Sequence, residues 1–257
     1  MSARLAGLLS VLQLSDSAFP SGRYTLSHGL EAFAQSGELG GAGGRSGPGG
    51  LGRPARPGEA AGAVRPSELL ALLGDCARHG VGPSDGVALA CAHRAVGPHG
   101  VLDLDLVTRA DRRLTAVKLA REVREASTRT GRALMAVTGG FGTAAVARYA
   151  EHVAGGHTPG NHAVALGVLC AGLEVPRVEA VAGELYAFAA GWVAAAVRLA
   201  LLDHRTAQRL LHRVRPVLAE AAEAAVDRDV ADIAGCTPLV DVMSMRHEQA
   251  ELRLFAS

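Results

Sequence analysis

Polar residues crowd the stretch SDSAFPSGRYTLSHGLEAF (15–33), where six hydroxyl side chains, an arginine and His28 surround a Pro–Gly turn. A serine nucleophile would need an exposed hydroxyl on a sharp strand-to-helix elbow. The chain has no G-x-S-x-G, and Ser27 and His28, as helix neighbours, would point in different directions. A metal centre would need converging ligands. His157 and His162 share the loop GHTPGNH, but their spacing is not that of a helical pair, and no acid or cysteine separates them. A dinucleotide loop is imitated twice, by GPGGLG (47–52) and by ALMAVTGGFGTAAVARY (133–149). The first has no strand before it; the second continues a helix and lacks the acid expected about 20 residues on. No G-x-x-x-x-G-K-[ST] occurs, so the chain is not itself a P-loop NTPase.

The second dense stretch is CTPLVDVMSMRHEQAELRLFAS (236–257). Here Met243, Met245, Leu252, Leu254 and Phe255 alternate with Arg246, His247, Glu248, Glu251 and Arg253. So short a tail frays unless it docks. It either packs on its own core or orders on a partner through arginine and aromatic anchors.

The elements that must position these residues are helices. Leu5, Leu8, Leu9 and Leu12 recur at helical spacing over 4–14, and Leu26, Leu30 and Phe33 restart a helix after the Phe19-Pro20-Ser21-Gly22 turn. Further helices are expected over 65–80, with Ser67 as N-cap, then over 84–96 from a Ser or Asp cap, and over 103–140. Three more span 161–173, 176–202 and 203–226, with Pro159 and Pro176 where helices should begin or be interrupted. Residues 37–64 are Gly, Pro and Ala without apolar periodicity, which predicts a flexible insert within a domain. Alternating strand patterns are missing. The expectation is an all-α, single-domain bundle of roughly 8–10 helices over 1–257.

Composition agrees: 49% of residues are hydrophobic but only 4% aromatic, so Ala, Leu and Val must build the core. A net charge of +1 argues against nucleic acid as a partner. Cys76, Cys91, Cys170 and Cys236 form no C-x-x-C pair, which fits reduced thiols and a cytoplasmic setting. The most apolar run, 185–202, carries Arg198 and reads as a buried helix, not a membrane span.

Taken together, the motifs resemble the UreF family of urease accessory proteins. LLSVLQLSDSAFPSGRYTLSHGLE follows its L-L-x-L-x-S…P-x-G…S-x-G-L-E signature, REVREASTRTGRAL (121–134) its R-E…S…G-R-x-L segment, and MRHEQAELRLFAS its H-E…R-L-F-x-S ending. NHAVALGVL and AAAVRL match two further family helices. Arg23 stands where many members have glycine, Ala250 replaces a usual leucine, and the Gly/Pro insert is longer than typical. The resemblance implies a non-catalytic helical scaffold, commonly a homodimer. It would bind UreD (UreH in some organisms), recruit the GTPase UreG and serve nickel delivery to apo-urease. It implies no resident cofactor, with nickel at most in passage. The implied partner contacts are Tyr24, His28, Glu31, Met245, Arg246, His247, Glu248, Arg253, Leu254 and Phe255, with Tyr186, Trp192 and Arg198 on a dimer surface. The polar residues of 15–33 are then turn formers and caps around a recognition surface. Two rivals remain: an activator of UreG using an arginine such as Arg23 or Arg129, and a helical-bundle enzyme with an unidentified cofactor.

Overall fold

A computed structural model describes residues 3–36, 64–249 and 255. The insert expected over 37–64 therefore lies outside the described residues except for Val64, and so do Arg253 and Leu254. The chain folds into α-helices: α1 (Ala3–Ser15), α2 (Leu30–Ser36), α3 (Pro66–Asp75), α4 (Val87–Arg94), α5 (Leu104–Val117) and α6 (Arg121–Val137). There follow α7 (Ala144–Ala154), α8 (His162–Gly172), α9 (Arg177–Arg198), α10 (His204–Ala225) and α11 (Pro238–His247). Among the described residues the sole β feature is an isolated bridge between Val96 and Leu102. The all-α expectation holds.

Helix α8 is the hub. Every residue from His162 to Cys170 is buried, so it has no polar face and must be wrapped by neighbours on all sides. Helices α4, α6, α7 and α9 pack around it. At Gly167 the crossing with α4 is so close that a Cβ would lie 3.0 Å from the Cβ of Ala92 and 3.2 Å from the amide nitrogen of His93. Helix α9 alone among the described helices is long and apolar enough to cross a membrane, yet 56% of its most apolar window is buried inside the fold. It packs against α1, α2, α4, α8 and α10. The α5–α7 side is stapled by Asp111, fully buried on α5. It accepts hydrogen bonds from Tyr149 Oη (2.8 Å), Thr158 Oγ1 (2.7 Å), the Gly160 amide (2.7 Å) and the Asn161 amide (2.9 Å) and side chain (2.6 Å). Its charge pushes Tyr149 further above the usual phenol range after burial has raised it.

Several boundaries differ from expectation. The single helix foreseen over 103–140 breaks between α5 and α6, where Arg124 Nη1 donates to the carbonyls of Lys118 and Leu119, both at 2.7 Å. The predicted gap before residue 84 is bridged by a π-helical run, Cys76–Gly86, that carries α3 into α4. Ser67 does not cap α3: Pro66 occupies its first turn and Arg65 the cap position. Asp203 does cap α10, accepting from the amides of Arg205 (2.8 Å) and Thr206 (2.9 Å). The α1 leucines are the larger surprise. Leu5, Leu8, Leu9 and Leu12 are half exposed, and α1 turns Leu14 inward instead.

Candidate functional site: the α2–α11 junction and its exposed rim

The 15–33 stretch is a shaped connection. Gly22 adopts φ 80°, and Arg23–Thr25 form a short 3-10 turn. Arg23 donates twice to Glu184 of α9, at 2.7 and 3.0 Å, across 161 residues. Burial nevertheless raises the Glu184 carboxyl, with Arg23 opposing that rise. Because its fork is committed to Glu184, Arg23 is poorly disposed as a mobile arginine finger; Arg129, on α6, is exposed. His28 is part-buried, with its ring edge-on to Phe188 at 4.8 Å. Burial, then the Arg23 and Lys118 charges, lower it to about 3, so its imidazole is neutral. His162 is likewise driven well down, by burial first. Both histidines border a cavity of about 150 Å³ that Arg23, Glu184, Asp85 and Lys118 also line.

Gly29 shows why this motif carries glycine. Its φ is 80°, and a Cβ there would lie 2.9 Å from Ser244 Oγ and 3.3 Å from the Val240 carbonyl. Helix α11 thus rests directly on the start of α2. A small apolar cluster of Ala32, Phe33 and Met243 joins the two helices.

A polar clamp completes that junction. His247 of α11 is buried, its Nδ1 2.8 Å from Glu122 Oε2 of α6 and its Nε2 2.8 Å from Glu31 Oε2 of α2. Carboxylate oxygens only accept, so a ring with hydrogens on both nitrogens satisfies both contacts. The Phe255 amide also donates to Glu31 Oε2, at 3.1 Å, tying Phe255 to the junction. Glu248 Oε1 accepts from the Glu122 amide at 3.1 Å. It thereby serves the first turn of α6, whose own cap residue Ala120 has no side-chain acceptor. The Glu of the first motif, the Glu of the R-E segment and the His-Glu of the ending meet at one point.

Beside the clamp, the Arg198 guanidinium lies 4.0 Å from the Tyr24 ring centroid and 4.6 Å from that of Phe255. A guanidinium between two aromatic faces is held electrostatically, yet Nε, Nη1 and Nη2 of Arg198 are buried without a hydrogen-bond partner among the described residues. Along α11 the outward residues Leu239 (52% exposed), Val242 (41%) and Met245 (40%) form an apolar stripe.

The sequence-predicted residues therefore divide. Tyr24, Met245 and Arg246 are exposed. Glu31 and His247 are interior, clamp residues and not surface contacts, and His28 is turned inward. Trp192 is also corrected. At 1% exposed it belongs to the core, while Tyr186, about 120° away around α9, is 42% exposed. Arg198 sits with Tyr24 and Phe255 instead of with Tyr186. Tyr186 instead borders a groove of about 890 Å³ between α1 and α9, with Leu5, Leu8 and Leu12 on its other wall. Sequence reasoning missed Glu122 and those exposed α1 leucines as site residues, although the leucine spacing was plain. His157 stacks on His152 at 4.8 Å and does not meet His162, which lies 3.7 Å from Glu184. Among the described residues no three His, Cys, Asp or Glu are grouped to hold a metal ion. The thiols of Cys76 and Cys170 are pushed up to about 12 by burial, which suits packing and not reactivity.

Comparison with known proteins agrees with the motifs. The family model described as UreF matches residues 64–215, more than half of the chain. Urease accessory protein UreF 2 of Brucella canis (strain ATCC 23365 / NCTC 10854 / RM-666) is 29% identical over 252 residues, covering 98% of this chain and 92% of the relative. The UreF proteins of Trichodesmium erythraeum (strain IMS101) and Arthrobacter sp. (strain FB24) are each 29% identical over 250 residues, covering 97% of this chain and 96% of theirs. The chain belongs to the UreF family of urease accessory proteins.

Proposed function

We propose that this protein is a non-catalytic scaffold of urease maturation. Its C-terminal region binds UreD (UreH), and the assembly recruits UreG and passes nickel, as cargo, to apo-urease in the cytoplasm. No resident cofactor is required of the chain. One observation carries the reading. The exposed α11 apolar stripe stands on a junction locked by the His247 clamp, where Arg198 is held between Tyr24 and Phe255. Apolar surface edged by arginine and aromatic side chains is the composition of interface cores. The half-exposed leucines of α1 with Tyr186 of α9 supply a second apolar face, suited to a homodimer.

Co-expression with the cognate UreD, followed by size-exclusion chromatography with light scattering, tests the assignment and reports the dimer mass. The full chain is expected to elute as a stable complex. V242E/M245E, which alters exposed positions only, and a chain truncated after Gly235 are expected to lose it. A well-folded V242E/M245E protein that keeps UreD would remove α11 as the docking face.

A further inference from the structure

Helix α10 carries its charge in two blocks. Arg205, Arg209 and Arg213 stand at successive i, i+4 positions, and no acidic residue occurs between His204 and Ala219. All three arginines are exposed. Two turns on, Glu220 and Glu223 take over, with Asp227 just past the helix end, and at 3.6 residues per turn the helical members of both blocks fall within one sector of about 80°.

The blocks differ in how their charges are used. Glu220 pairs with Arg78 at 3.2 Å and Asp227 with Arg177 at 3.1 Å. Elsewhere on the surface, Arg65, Arg109 and Arg148 each have an acid one turn away. After the hydrogen bonds from Thr206, Arg209 helps lower the Asp203 carboxyl at the helix N-cap, but the side chains of Arg205, Arg209 and Arg213 have no hydrogen bond or ion pair among the described residues. Local stability does not account for the row. Like charges at i, i+4 repel along a helix, and a cation in the first turn opposes the macrodipole.

We propose that this half of α10 is a docking face for a protein surface bearing clustered carboxylates, matched to a row about 12 Å long. The guanidinium fork is built for carboxylate pairing, and a row of three gives a partner both attraction and register. An extended phosphate backbone or an anionic bilayer fits poorly, because the same face turns acidic at Glu220, Glu223 and Asp227. A second copy of this chain fits poorly too. Its own acidic block would be the complement, and two of those three carboxylates are already held by Arg78 and Arg177. The face is separate from the α11 stripe and from the α1–α9 groove, so it stands whichever partners those engage.

The full-length protein would be compared with R205Q/R209Q/R213Q and R205E/R209E/R213E by fluorescence anisotropy. The probes are a labelled alanine-rich helical peptide with Glu at i, i+4 spacing and a labelled 20-nucleotide single-stranded DNA, each at 20 and 200 mM NaCl. The expected result is peptide binding that weakens with salt, drops at least tenfold in the Gln variant and vanishes in the Glu variant. The melting temperature should be equal or higher in the Gln variant, since repulsion is relieved. Equal peptide binding by all three proteins, tighter binding of DNA than of peptide, or lower melting of the Gln variant would each overturn the proposal.

Discussion

Replacing His247 with alanine is the sharpest probe of the α2–α11 junction. The substitution strips Glu31, 1% exposed, of its innermost partner and removes one contact of Glu122, 12% exposed. Removing one member of a buried charged pair costs about 3–5 kcal/mol. Glu31 keeps the Phe255 amide at 3.1 Å and Gln35 at 3.3 Å, which places the loss near the lower limit, about 3 kcal/mol. The apolar cluster that otherwise holds α11 to α2 is small, Ala32, Phe33 and Met243 with Leu72 and Val240 packed against them, so the loss should appear as local opening of α11 ahead of the bundle. At 1.4 kcal/mol per decade, α11 amides should exchange about 100-fold faster, while amides of the α8 hub keep their protection. Hydrogen exchange read by mass spectrometry resolves the two regions. E31L/H247F, which replaces the innermost contact by apolar groups of similar bulk, should recover much of the protection. Exchange of α11 in His247→Ala within threefold of the parent protein would refute the clamp as the element that docks the tail.

Two further predictions concern neighbouring residues. Gly29→Ala should open α11 in the same assay, through about 1–2 kcal/mol for its positive φ plus the contact with Ser244. Gly22→Ala, with the same φ and nothing within 4 Å, should leave α11 exchange unchanged, and parity of the two variants would count against the close-approach argument. The second prediction is acid sensitivity. His28 and His162 are depressed in the fold, mainly by burial. The unfolded chain, titrating near pH 6.5, therefore binds protons that the fold refuses, and their contribution is complete above that pH and lost as pH falls toward the folded values. The slope is up to about 1.4 kcal/mol per pH unit for each histidine. Glu184, raised in the fold, acts with the opposite sign and offsets part of the loss at the acid end. Urea midpoints should fall between pH 7 and 5, and less steeply in H28Q/H162Q; equal slopes would reject the assignment.

Much of the helical architecture was legible because its signals are local. Ala, Leu and Val at helical spacing and Pro176 before α9 mark elements through contacts spanning a turn or two. Where the reading failed, a distant partner decided. The 103–140 pattern runs on in sequence, but Arg124 folds back on Lys118 and Leu119 and the helix restarts. The α1 leucines keep perfect periodicity and still face outward, since periodicity names a face and not what covers it.

The same division applies to the site. Residue types alone determined that the chain is helical, that three polar motifs flank its ends and one helix start, and that none has the spacing of a nucleophile, a metal centre or a phosphate loop. Only the tertiary structure decided that Glu31 and His247, 216 residues apart, meet with Glu122 in the interior, and that Trp192 turns inward while Tyr186 does not. A glutamate or histidine looks the same in sequence whether it faces solvent or another helix. Its role follows from which helices pack together, and that is set by the whole core through contacts that no local pattern records.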